Sequence, residues 1–219
     1  MHSSSMQQVQ LLSTQLRALI DKVRNGLNGD GVIAELQSAL VGLREIETHD
    51  ELTSALNRRG LLQRLQEELM RARRTGHPFS FALIAVDDLE AIDARYGGDV
   101  RRQVLRSLAQ AALHVLRSLD SVGRLDEHVF GIILPTTWLD QSDKAITRLT
   151  AAVSSADWGV QAPGLRVSFS SGITTNAPGD TAEDLLHRAG EALRQAQSQG
   201  QGLCVQLEQP LPEIDPDAL

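Results

Sequence analysis

The stretch from Val122 to Pro135 (VGRLDEHVFGIILP) constrains this chain more than any other. Val122 and Arg124 precede a polar turn, Val129 to Leu134 form an apolar run, and Pro135, which cannot donate to a strand ladder, stops it. Two short strands around a polar turn make a β-hairpin. Whatever else the chain does, it has to supply strands and helices that cover this hairpin.

With 219 residues there is room for one full-sized domain and a helical extension. Its hydrophobic share of 42% is ordinary for a globular chain, while aromatics make up only 3%, so the core is built from Leu, Val, Ile and Ala. The net charge of -7 speaks against a general nucleic-acid surface. No apolar run approaches the roughly 20 residues that span a bilayer, and the first residues lack a signal pattern, which predicts a cytoplasmic protein without a membrane span. Cys204, the one cysteine, excludes an internal disulfide; its apolar neighbours predict a small buried thiol.

Val9, Leu12, Leu16, Leu19 and Val23 recur at helical spacing, as do Ile33, Leu36, Leu40 and Leu43, with a glycine- and asparagine-rich break at 25–31 between the two series. This predicts an N-terminal helical hairpin over 1–47, its stripe packed on the main domain or on a second copy. Further helices are expected after Asn57, from Asp99 to Leu119, from Trp138 to Val153 and from Asp180 to Ser198, with strands at Phe79–Val86 and 165–173. Asn57 is placed as an N-cap and Gly76 as a C-cap ahead of Pro78. The main domain is assigned to 48–208, and 209–219 to a loose tail.

Thr48 to Leu62 (THDELTSALNRRGLL), the strand ending at Asp87-Asp88, the hairpin, the late Val-Ser-Gly strand and the closing helix together resemble the GGDEF family, the diguanylate cyclase domains that condense two GTP into cyclic di-GMP. The resemblance implies an α/β (α+β) fold of the nucleotidyl-cyclase kind: a central, mostly antiparallel sheet flanked by helices, here preceded by the N-terminal hairpin. It also implies positions for the chemistry. The five signature positions fall on Asp126 to Phe130, of which only Phe130 matches. The family's first magnesium Asp falls on Ala85, its second Asp on Asp87, the Lys on Glu90 and the guanine-contacting pair on Asp93 and Arg102. Lys and Arg of the closing helix fall on Gln197 and Gln201, and a usual Gly of the opening motif is Ser54. Alanine offers magnesium no oxygen, and Asp126 with Glu127 replaces two glycines that admit a phosphate. These departures predict no catalytic residues, no metal site, no cofactor and no enzyme activity; the alternative is a shifted metal site built from Asp87, Asp88, Asp126 and Glu127.

One pattern of the family is kept. Arg117-Ser-Leu-Asp120 stands at the offset of its Arg-x-x-Asp inhibitory site, and Arg148 falls where a further Arg often assists. A guanidinium fork suits guanine O6 and N7 or a phosphate, and a carboxylate accepts from guanine N1 and N2. The competing reading is a surface ion pair at a helix end, with Leu116 and Leu119 in the core. The expectation is a catalytically inactive cyclic di-GMP receptor acting through Arg117, Asp120 and Arg148. It would regulate an unknown protein partner and dimerise through the N-terminal helices or bridging ligand; the alternative is a nucleotide-independent interaction scaffold.

Overall fold

The computed structural model describes residues 48–209 continuously, together with 13, 14, 17–24, 31, 33–35, 37 and 38. Residues 17–24 and 33–35 are helical, and Lys22 Nζ donates to Glu35 Oε2 at 3.3 Å between them. Of the expected apolar stripes, Leu19 is buried whereas Val23 and Ile33 are exposed. Val9, Leu12, Leu16, Leu36, Leu40, Leu43, the break at 25–30 and the tail at 210–219 lie outside the described residues.

The continuous part runs α1 (Arg58–Thr75), β1 (Phe79–Val86), α2 (Leu89–Tyr96), α3 (Gly98–Val115), β2 (Ser121–Arg124), β3 (Val129–Pro135), α4 (Leu139–Ser155), a 3-10 turn (Trp158–Val160), β4 (Phe169–Thr175), α5 (Ala182–Gln199) and β5 (Cys204–Gln206). The strands form one sheet in the order β2-β3-β1-β4-β5, antiparallel except for the parallel β4–β5 pair. This is the mixed, mostly antiparallel architecture expected.

Strand β1 is buried at every residue, and its pleat divides the core. Ala82, Ile84 and Val86 join Leu105 and Leu108 of α3 and Ile146 and Leu149 of α4 on one face. Phe79, Phe81, Leu83 and Ala85 join Leu61 and Leu65 of α1 and Leu185 and Ala189 of α5 on the other. The sheet is therefore the middle of three layers. Helix α5 lies so close to β4 that a Cβ on Gly172 would meet Leu193 N at 2.1 Å and Ala189 O at 2.3 Å. Backbone cannot rotate out of the way, so Gly172→Ala is expected to destabilise the fold by ~1–3 kcal/mol or more, measured by urea unfolding.

Local chemistry explains where helices begin and end. Asn57 accepts from Gly60 N at 2.9 Å, Gly76 closes α1 with φ 72°, and Thr181 caps α5 in a reciprocal box with Asp184. Helix α3 ends at Val115, four residues before the expected Leu119, because Leu116 turns extended and Asp120 Oδ2 accepts from Arg117 N at 2.8 Å. Strand β4 starts at Phe169 rather than 165, and α2 was not foreseen. Cys204 corrects its expectation: it sits exposed on strand β5, although partial desolvation still pushes its thiol pKa up against a hydrogen bond from Ser171.

The opening motif docks on the outer edge of β2. Leu56 N donates to Val122 O at 3.0 Å and Arg124 N to Leu56 O at 2.6 Å, which occupies an otherwise open strand edge. Asp50 accepts from Thr53 N, Thr53 Oγ1 and Arg124 Nη1, tying this motif to the hairpin. Ser54 stands at φ 59°, a left-handed conformation that glycine adopts more easily, which is why the family's usual Gly belongs there.

Candidate functional site

The hairpin turn is closed by its own side chains. Asp126 Oδ1 accepts from Glu127 N at 2.7 Å, and Arg124 donates to the carbonyls of Asp126 and Glu127 at 3.2 and 2.6 Å. Arg101 of α3 reaches Glu127 Oε2 at 3.0 Å and lies 4.0 Å from Asp93. Arg102 pairs with Asp99. Ala85 is fully buried and registers opposite Val129 on β3, so two apolar side chains face that step of the ladder.

The four carboxylates of the shifted-metal alternative are drawn to separate partners. Asp87 accepts from Ser168 Oγ and Ser170 Oγ, each at 2.6 Å, and from Gly202 N at 2.8 Å. Asp88 bonds Gln201, Asp126 its own turn, and Glu127 Arg101. Among the described residues no group of three His, Cys, Asp or Glu side chains gathers where it could hold a metal ion. Asp87 instead pins the end of β1 to the approach of β4 and the loop before β5.

The Arg117–Asp120 segment tells a different story. It forms a turn in which Asp120 N donates to Arg117 O at 3.0 Å while the Asp120 carboxylate accepts from Arg117 N. Leu116 is buried, but Leu119 is 75% exposed, contrary to the competing reading that placed both in the core. Helix α4 runs alongside, and the two segments bound a concavity of about 310 Å³ lined by Arg117, Asp120, Leu134, Thr137, Gln141, Lys144, Ala145 and Arg148. The three side chains expected to act together, Arg117, Asp120 and Arg148, thus line one hollow. Lys144 and Gln141, which sequence reasoning did not single out, line it too; their signal was the helical spacing back from Arg148.

Burial is the main influence on Asp120 and pushes its pKa up from the usual carboxylate value, while the Arg117 N–H and the charges of Arg117 and Arg148 pull the other way. Three cations around one partly desolvated carboxylate make an anion-receptive hollow on an otherwise acidic chain. Its floor is fixed from below. Ser80 Oγ, fully buried on β1, donates to Thr137 O at 2.8 Å, and Thr137 Oγ1 donates to Pro135 O at 2.9 Å.

Comparison with known proteins adds the family context. The family described as "Diguanylate cyclase, GGDEF domain" matches residues 47–202. Diguanylate cyclase DgcP of Pseudomonas aeruginosa is 29% identical over 191 residues, covering 87% of this chain and 28% of that protein. Response regulator PleD of Caulobacter vibrioides is 33% identical over 165 residues, covering 74% of this chain and 36% of PleD. The chain therefore spans about a third of the length of these two curated relatives. Among solved structures, diguanylate cyclase SiaD of Pseudomonas aeruginosa, crystallised with its activator SiaC, superposes with TM-score 0.74 at 31% identity, covering 93% of this chain and 79% of SiaD. The coiled coil and GGDEF domain of DgcB from Caulobacter crescentus, solved with c-di-GMP, gives TM-score 0.75 at 20% identity over 88% of this chain and 100% of that one, a likeness of fold.

These relatives correct one expectation. The chain was expected not to be an enzyme, because side chains differ at the family's catalytic positions; DgcP and SiaD are named diguanylate cyclases, which are enzymes. Substituted ligands at aligned positions describe those positions and do not by themselves remove a chain from an enzyme family. Among the described residues, no helix is long and apolar enough to cross a membrane.

Proposed function

Because the chain belongs to the diguanylate cyclase GGDEF domain family, we propose that it binds cyclic di-GMP in the concavity between the Arg117–Asp120 turn and α4. One observation carries this reading: Arg117, Asp120 and Arg148, drawn from a turn and from a helix well downstream, line the same hollow. Each group has a task. The Arg117 and Arg148 forks donate to phosphate oxygens or to guanine O6 and N7, and Lys144 adds a point charge. Asp120 keeps one oxygen on Arg117 N, which sets its orientation, and offers the other to guanine N1 and N2.

Within this reading the five signature positions are degenerate, Phe130 alone being retained, and none of them lines the hollow, to which the hairpin contributes Leu134. The partner that the ligand brings to the domain, whether a second copy bridged by intercalated ligand or a distinct protein, belongs to the same proposal. The test is calorimetric titration of the purified, nucleotide-free protein with cyclic di-GMP, beside GTP as a control. Saturable binding of cyclic di-GMP supports the reading; silence from a folded sample sinks it and points to a scaffold that works by protein contacts.

The raised pKa of Asp120 gives this binding a pH dependence. Only the ionised carboxylate accepts from both guanine donors, so affinity is expected to fall as pH is lowered through the range above the usual carboxylate value. Asp120→Asn should bind weakly and without that dependence, measured by titrations at pH 7 and about pH 5. The stability linkage has the opposite sign. A carboxyl whose folded pKa is raised contributes stability below its unfolded pKa, and that contribution is lost as pH rises through the folded value.

A further inference from the structure

We infer that Trp138 is the stacking platform for a purine base of the ligand, a role that rests on the cyclic di-GMP reading above. On α4 the concavity is lined by Gln141, Lys144, Ala145 and Arg148, a stripe at spacings of three and four. Carried back one turn at the same spacing, that stripe reaches Trp138, the residue that opens the helix and follows Thr137, itself part of the lining.

Neither packing nor helix capping accounts for a tryptophan here. Its side chain is 58% exposed, and at the N-cap it makes no capping hydrogen bond, where Ser, Thr, Asn or Asp would supply one. Trp158 shows what this chain does with a structural indole: it is buried, and Nε1 donates to Val153 O at 2.8 Å. At Trp138 the chain thus forgoes a side-chain cap and leaves a large flat surface in solvent, next in sequence to Thr137 of the cationic hollow. Arg117, Asp120, Lys144 and Arg148 supply charge and hydrogen bonds suited to the edges and phosphates of a nucleotide, and no aromatic side chain is among the residues that line the hollow. An indole covers the face of a base, and base–aromatic stacking tolerates either orientation of the ring.

The chain carries two tryptophans, so emission reports on this role directly. In the full chain, cyclic di-GMP is expected to quench Trp138 with the same affinity that calorimetry gives, and the quench disappears in Trp138→Ala, where only buried Trp158 emits. Calorimetry should show Trp138→Ala binding about 5- to 150-fold more weakly, and Trp138→Phe recovering most of that loss. Trp138→Asn separates the two roles: it supplies the missing cap, so Tm should rise by ~2–4 °C while binding stays as weak as in Trp138→Ala. Equal affinity in the unaltered protein and Trp138→Ala overturns the inference and leaves the binding reading intact. So does a loss accompanied by a fallen Tm that Phe does not rescue. Calorimetric silence from the unaltered protein overturns the binding reading, and the platform falls with it.

Discussion

Replacing Arg117 by alanine is expected to weaken cyclic di-GMP binding by ~30-fold or more, the effect of truncating one charged partner of a desolvated pair, about 2–5 kcal/mol. The side chain is exposed, and the turn itself is held by the Arg117 main chain, so the fold should not change. Arg117→Lys tests the geometry: it keeps the charge and loses the planar fork, and should recover only part of the affinity. Adding Arg148→Ala removes the second fork from the same hollow and should take binding beyond calorimetric detection. Unchanged affinity in Arg117→Ala, with a matching circular dichroism spectrum, would mean the ligand sits elsewhere.

Arg188→Ala is expected to cost ~3–5 kcal/mol of folding stability, read from urea unfolding, with ligand affinity preserved under conditions where the domain stays folded. Asp180 is 4% exposed and takes two hydrogen bonds from the Arg188 guanidinium, at 3.3 and 2.6 Å. The same guanidinium donates to Thr174 Oγ1 at 2.6 Å and to Thr175 O at 3.0 Å, while Arg73 donates to Asp180 O at 2.8 Å. One ion pair thus joins the end of α1, the end of β4 and the start of α5. Without Arg188, the carboxylate stays buried with the Ala177 N–H as its remaining partner. Removing both ionic groups together, as Asp180→Asn with Arg188→Met, should cost less than the sum of the single changes, since no orphaned charge remains. Strict additivity would show that the pair is not coupled.

The elements most legible in the sequence were those with their own chemical punctuation. Asn57 and Gly76 bracket α1, and the apolar run of Phe79–Val86 became a strand buried throughout. Positions decided by competition were harder to read. The apolar spacing of α3 continues through Leu116 and Leu119, but the Asp120 carboxylate claims the Arg117 N–H and ends the helix early, leaving Leu119 in solvent. Helix α2 is a single short stretch without enough turns for a periodic pattern. Lys144 escaped notice because the face of α4 that borders the turn is fixed only when both pack on the sheet. The expectation of no enzyme activity failed for another reason: it read absent side chains as an absent activity, whereas DgcP and SiaD bear the cyclase name. Cys204 was read from its apolar neighbours, although those neighbours belong to an edge strand with one open side.

The central strand sets the order in which this molecule comes apart. Strand β1 has hydrogen-bonded partners on both edges and helices on both faces, so its amides are released only when the whole domain opens. The Arg117–Asp120 turn, exposed at three of its four residues, opens at less cost, whereas the loop before Trp138 keeps Thr137 buried. The Ser80 hydroxyl ties that loop to β1 itself. The hollow is therefore bordered by a turn that yields early and anchored to the strand that yields last. Its outer wall can open and close many times over without the domain ever leaving its folded state.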